Sequence, residues 1–119
     1  MSRGPDRFLT FPRPAPDALL LEDPAVRAMF RDAVRESVRA GLDGFVRDEV
    51  LERRPWGLGL EEVQVDVSVW HGEQDGYLPR PHVDAVTRLL PRCQVHFDPA
   101  QGHGLILARW AEILDSVRP

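Results

Sequence analysis

Lysine is absent from this chain, and all 15 of its basic residues are arginine. That absence reads as codon usage in a GC-rich genome, not as a function specific to arginine. Cysteine is nearly absent too. Cys93 stands alone, which excludes an internal disulfide and any zinc cluster built on thiolates. A single thiol fits a reducing compartment, and the cytoplasm is the expected location. Arg3 and Arg7 are followed by no apolar core, and no long apolar run occurs anywhere, so neither a signal peptide nor a membrane span is read. Positive charge is not in excess. A net charge of −4 leaves no electrostatic footprint for nucleic acid or an anionic membrane. No internal repeat is found, and no cofactor is expected. What remains is 119 residues, 43% apolar and 29% charged, the composition of one globular domain at most. A domain of this size buries roughly 65% of the surface its unfolded chain would expose. That suffices for a core but not for a large enclosed active site.

Residues 1–18 carry Pro5, Pro12, Pro14 and Pro16, and are expected to be extended and poorly packed. Residues 19–62 read as a helical segment. Asp23-Pro24 is a helix start, an acid at the cap followed by proline in the first turn. Val26, Phe30, Val34 and Val38 follow at a spacing of four and predict one apolar stripe. Beside it run Arg27, Arg31, Arg35 and Arg39, most simply a solvated face, although an acidic partner would also fit. Gly41 is expected to end this helix. A second helix is predicted over about 44–53 with Phe45, Val46, Val50 and Leu51 inward, stopped by Pro55. The following Trp56-Gly57-Leu58-Gly59-Leu60 reads as a loop with apolar anchors.

Residues 63–119 read as strand, helix, strand, helix. Val63, Val65, Val67 and Val69 alternate strictly, a period-2 pattern of β-branched residues. A loop over 71–79 leads to a helix opened by Pro81, with Val83, Val86, Leu89 and Leu90 inward. Cys93, Val95 and Phe97 predict the second strand. A last helix is expected over about 104–117, with Ile106, Leu107, Trp110, Ile113, Leu114 and Val117 on its apolar face. This order implies a βαβ unit with parallel strands. Parallel strands are normally covered on both faces within a larger sheet, so the fold class is α/β, read as the tail of a bigger fold.

Two loops carry the chemistry. Asp75 lies just past the end of the first strand, in His71-Gly72-Glu73-Gln74-Asp75-Gly76-Tyr77-Leu78-Pro79. His103 lies just past the second, in Gln101-Gly102-His103-Gly104. Functional groups of open α/β sheets gather beyond the carboxyl ends of the strands, and parallel neighbours bring those ends to one side. A carboxylate there can accept a hydrogen bond from the imidazole, fix its tautomer and stabilise its protonated form. Taken alone, Asp75 reads equally well as a loop acid capping the next helix, and His103 as a loop histidine. His71 with Asp75 finds no third ligand for a metal. His82 is expected on an exposed helix face. His96 alternates with the apolar positions of its strand and is read as a packing or partner contact. The tryptophans, Trp56, Trp70 and Trp110, are read as core.

Gly72-x-x-Asp75-x-x-Leu78-Pro79, a helix, Leu90-Pro91, a strand, and then Gly102-His103 together resemble the C-terminal part of α/β-hydrolase fold proteins. Residues 24–62, with a Pro-initiated helix, a glycine break, Asp48 and Pro55-Trp56-Gly57, resemble the end of that family's helical cap. The resemblance implies a partial α/β-hydrolase fold, with a short parallel βαβα sheet preceded by cap-like helices. It implies Asp75 as triad acid and His103 as triad base, in an ester- or amide-type hydrolysis. The family's Gly-x-Ser-x-Gly elbow is missing, as are its first strands and its oxyanion-hole loop. None of Ser2, Ser37, Ser68 and Ser116 sits on a strained strand-to-helix turn, and Cys93 reads as a small hydrophobe in a strand. The expectation is therefore a chain inactive alone, with its N-terminal hydrolase half missing or supplied separately. The alternative is a non-catalytic module that self-associates to cover its sheet.

Overall fold

The computed structural model describes residues 15–118. In chain order the elements are α1 (Ala15–Leu20), α2 (Pro24–Ser37), α3 (Asp43–Glu52), a single 3-10 turn (Leu60–Glu62), β1 (Val67–Gly72), α4 (Arg80–Thr87), β2 (Cys93–Asp98), α5 (Leu105–Ala108) and α6 (Trp110–Ser116). The chain divides into two compact units: residues 21–58 form one, and α1 with residues 59–118 forms the other. The helix α1, which lies within the stretch expected as a lead-in, groups with the sheet. Of the proline-rich lead-in, residues 1–14 lie outside the described residues. Residues 15–18, expected to be extended, are helical. Pro16 is compatible with that, since a first-turn proline gives up an N–H that has no helical partner.

In the first unit, α2 starts where its sequence says. The Asp23 carboxylate accepts from the Ala25 N–H at 2.8 Å, and Pro24 opens the first turn. The helix stops four residues short of Gly41. The Ser37 hydroxyl donates to the Val34 carbonyl at 2.9 Å, taking the acceptor that a further helical turn would use. Gly41, at φ 105°, then completes the turn, a conformation open to glycine. Of the arginine row, Arg27, Arg35 and Arg39 are exposed and Arg31 is half-buried; Arg35 pairs with Asp32 at 3.5 Å, Arg39 with Glu36 at 2.9 Å, and Arg27 donates to the Leu21 carbonyl at 2.9 Å. The inward faces expected here are not buried. Phe30, Phe45, Val46, Val50, Leu51, Trp56 and Leu58 all stand exposed.

The second unit is built on one parallel pair. Val67 faces Cys93, and the register runs through to Gly72 opposite Asp98. β1 begins at Val67, not at Val63; the Val67 N–H donates to the Arg92 carbonyl at 2.8 Å, just ahead of β2. β1 ends at Gly72, past the expected start of the loop, because Phe97 and Asp98 pair with His71 and Gly72. Ahead of the strand, Arg92 holds the incoming segment through the Gln64 carbonyl at 3.0 Å and through Asp66 at 2.6 Å. The expected single C-terminal helix is broken at Arg109. Its guanidinium reaches Asp98 at the end of β2 at 2.8 Å and Glu112 at 2.9 Å. The Ala100 N–H and the Arg109 side chain together hold the Asp98 carboxyl below its ordinary range.

Leu105, 4% exposed, is the one buried apolar side chain among the described residues. Val86, Leu89, Ile106, Trp110, Leu114 and Val117, expected inward, are exposed. Among the described residues the parallel pair leaves these amphipathic faces uncovered. No helix among the described residues is long and apolar enough to cross a membrane.

Packing is close where the strand ends meet the 101–102 turn. A side chain at Gly72 would overlap the carbonyl oxygens of Gln101 and Gly102, which are backbone and cannot rotate aside. Gly72→Ala is therefore expected to destabilise the fold by about 1–3 kcal/mol, read as a lower urea midpoint. An unchanged midpoint would show that the turn gives way.

Candidate functional site

The site lies at the carboxyl ends of β1 and β2. The loop after β1 is stapled to the loop after β2 by the main chain and one side chain. The Glu73 N–H donates to the Asp98 carbonyl at 2.9 Å, the Gln74 N–H to the Gln101 carbonyl at 2.9 Å, and Gln74 Nε2 to the Pro99 carbonyl at 2.8 Å. Arg80, at the start of α4, pairs with Glu73 at 2.8 Å and lies 3.4 Å above the centre of the Phe97 ring. The two loops thus form one braced platform.

Asp75 and His103 meet on it. His103 Nδ1 is 3.0 Å from Asp75 Oδ2, between residues 28 apart in sequence. Asp75 Oδ1 accepts the N–H groups of Tyr77 at 2.8 Å and Leu78 at 3.0 Å. The Asp75 side chain is only 5% exposed, while that of His103 is 52% exposed. Burial pushes the Asp75 carboxyl up. The Leu78 N–H, the His103 ring and the Tyr77 N–H outweigh it together, and the group ends below the ordinary carboxylate range. An ionised Asp75 accepts from Nδ1–H, so the hydrogen-bond network assigns the Nδ1–H tautomer to His103 and leaves the Nε2 lone pair free. The Tyr77 ring lies 5.0 Å from the imidazole, tilted by 50°. Chemically, this is an oriented base with its proton-accepting nitrogen in a half-open position.

The other sequence candidates fall away from it. Cys93 opens β2 and lies about 16 Å along the strand from its carboxyl end, at 3.3 Å per residue. Ser68 is likewise near the amino end of β1. The hydroxyls of Ser37 and Ser116 donate to the carbonyls of Val34 and Ile113 within their own turns, and Ser2 lies outside the described residues. His71 is buried in β1 with its ring edge-on to Phe97 at 6.1 Å. His96 stacks on Trp70 at 4.2 Å, the packing role read for it. His82 is exposed on α4. Trp56 and Trp110, expected in a core, are exposed. Among the described residues no three acidic, histidine or cysteine side chains are grouped to hold a metal ion.

One residue was missed. Asp17, inside the stretch read as extended, is 7% exposed. Its carboxylate accepts the N–H of His103 at 3.1 Å and of Gly104 at 2.7 Å. Pro16 followed by an acid and a leucine run is a helix-start signal like Asp23-Pro24, and it marks α1 in the sequence. Nothing local marks its target.

No family model, no curated protein and no solved structure matches this chain. The functional reading therefore rests on the chain's own residues and geometry.

Proposed function

We propose that this chain is the C-terminal part of an α/β-hydrolase-type enzyme, carrying the acid and base of a triad whose nucleophile another segment supplies. The observation that supports it is the 3.0 Å contact between Asp75 and His103 at the carboxyl ends of two parallel strands. In the reaction, His103 Nε2 takes the proton of a serine hydroxyl as it attacks an ester or amide carbonyl, and returns it to the leaving group. Asp75 holds the ring and stabilises the imidazolium. The oxyanion donors, each worth about 3–4 kcal/mol, come with the nucleophile's segment. The reading carries with it a reducing, cytoplasmic setting for Cys93. The test is ester hydrolysis by the chain alone and by the chain completed with a Gly-x-Ser-x-Gly strand-to-helix segment. The reading frame upstream of Met1 is the first place to look for that segment. Turnover by the chain alone that His103→Ala abolishes would overturn completion from elsewhere.

A second reading, a non-catalytic module that self-associates, is favoured by a different observation. Large apolar side chains on α3, α4 and α6 are exposed, and each of the two described strands has an open edge. Sedimentation of the purified chain is expected to give a mass above that of its 13.5 kDa monomer. A strict monomer that unfolds cooperatively and binds no apolar dye would remove this reading.

A further inference from the structure

We infer that Asp17 is a positioning residue for His103, an inference that rests on the hydrolase reading of the site. The His103 ring is half-exposed, and its side-chain partners are Asp75 and the tilted Tyr77 ring. Among the described residues these side-chain contacts leave much of the ring's place to the backbone that carries it. That backbone is pinned by Asp17, whose two carboxylate oxygens take the consecutive N–H groups of His103 and Gly104 at 3.1 and 2.7 Å. These bonds span 86 and 87 residues of sequence, so they are tertiary contacts, not local turn chemistry. The fit is close. A side-chain carbon at Gly102 would lie 2.6 Å from Asp17 Oδ2, so the carboxylate sits directly against the turn before His103. Two carboxylates therefore fix one histidine: Asp75 through its ring, Asp17 through its main chain. Asp17 touches no reacting atom. It acts by holding His103 where Nδ1 meets Asp75, and so by holding the Nδ1–H tautomer that leaves Nε2 free to accept a proton.

The test needs no catalysis. Long-range proton–nitrogen NMR on the full chain reads the protonated nitrogen of each histidine, with His103 assigned by His103→Ala. In the wild-type chain His103 is expected to be mainly Nδ1–H. In Asp17→Ala it should shift to mainly Nε2–H, the form a free histidine side chain prefers. The signals of His82 and His96, and a cooperative thermal transition, should be kept. Asp17→Asn retains one acceptor oxygen and should fall between the two. A folded Asp17→Ala chain with an unchanged His103 tautomer overturns the inference and leaves the hydrolase reading intact. A wild-type His103 that is already mainly Nε2–H removes the Asp75 bond, and both fall together. If Asp17→Ala and Asp17→Asn both lose the cooperative transition, Asp17 is a folding residue and the positioning role is overturned.

Discussion

His103→Ala is expected to lower kcat by about 10⁶-fold in the completed enzyme and to change nothing measurable in the isolated chain. The contrast follows from what a general base does. Nε2 accelerates hydrolysis only when it takes a proton from an attacking hydroxyl in reach, and then protonates the leaving group. None of the described serines offers such a hydroxyl. Ser37 and Ser116 donate to carbonyls of their own helices, and Ser68 lies within β1 towards its amino end. The isolated chain with a chromogenic ester should be no faster than an equal concentration of free imidazole. Supplying the nucleophile and its oxyanion donors switches the same histidine from bystander to base. Stopped-flow or plate-reader rates on the four combinations check this. A completed chain whose rate is indifferent to His103→Ala would end the triad reading.

Asp75→Asn is expected to cost the completed enzyme about 10⁴-fold in kcat with little change in KM. An amide in place of the carboxylate presents an NH₂ or a neutral oxygen to Nδ1, so the tautomer is no longer held and the imidazolium loses its counter-charge. The same substitution has a stability signature that can be read without activity. The folded-state pKa of Asp75 is depressed below its ordinary value of 3.8. The stability linked to that depression is therefore fully present above the unfolded value. It is lost as pH falls through the folded one. The stability difference between wild type and Asp75→Asn should shrink as pH falls below about 4, measured by urea unfolding from about pH 5 downwards. A difference that grows in acid would contradict the direction assigned to Asp75. The size of the effect is modest, about 1–3 kcal/mol, because the Tyr77 and Leu78 N–H groups lose a charged acceptor but are close enough to the surface to find water.

The elements whose chemistry is local were legible in the sequence. Asp23-Pro24 begins a helix because cap and first-turn proline act within a few residues. The valine alternation marks β1, and Cys93, Val95 and Phe97 mark β2, because side chains on a strand alternate whatever the strand packs against. Asp75 and His103 were legible as candidates because glycine-flanked polar residues directly after strands are a pattern in the sequence itself. The limits of β1 were not, since a strand ends where its partner ends, and that partner lies 26 residues on, Cys93 opposite Val67. Burial was not legible either. Phe45, Val46, Leu89 and Trp110 carry the right periodicity, but periodicity states which face would be buried, not whether a surface exists to bury it.

The sequence by itself determined a mixed α/β chain with parallel strand signals, a capped helix at Pro24 and two proton-handling residues in two loops. Only the tertiary structure decided that those residues touch, that Asp75 is sheltered while His103 is half-open, and that Asp17, in a stretch read as extended, grips the histidine's backbone. The physical reason is distance along the chain. Caps, turns and alternation are settled within a few residues. A hydrogen bond between Asp17 and His103 exists only once the sheet has brought the loop after β2 against α1.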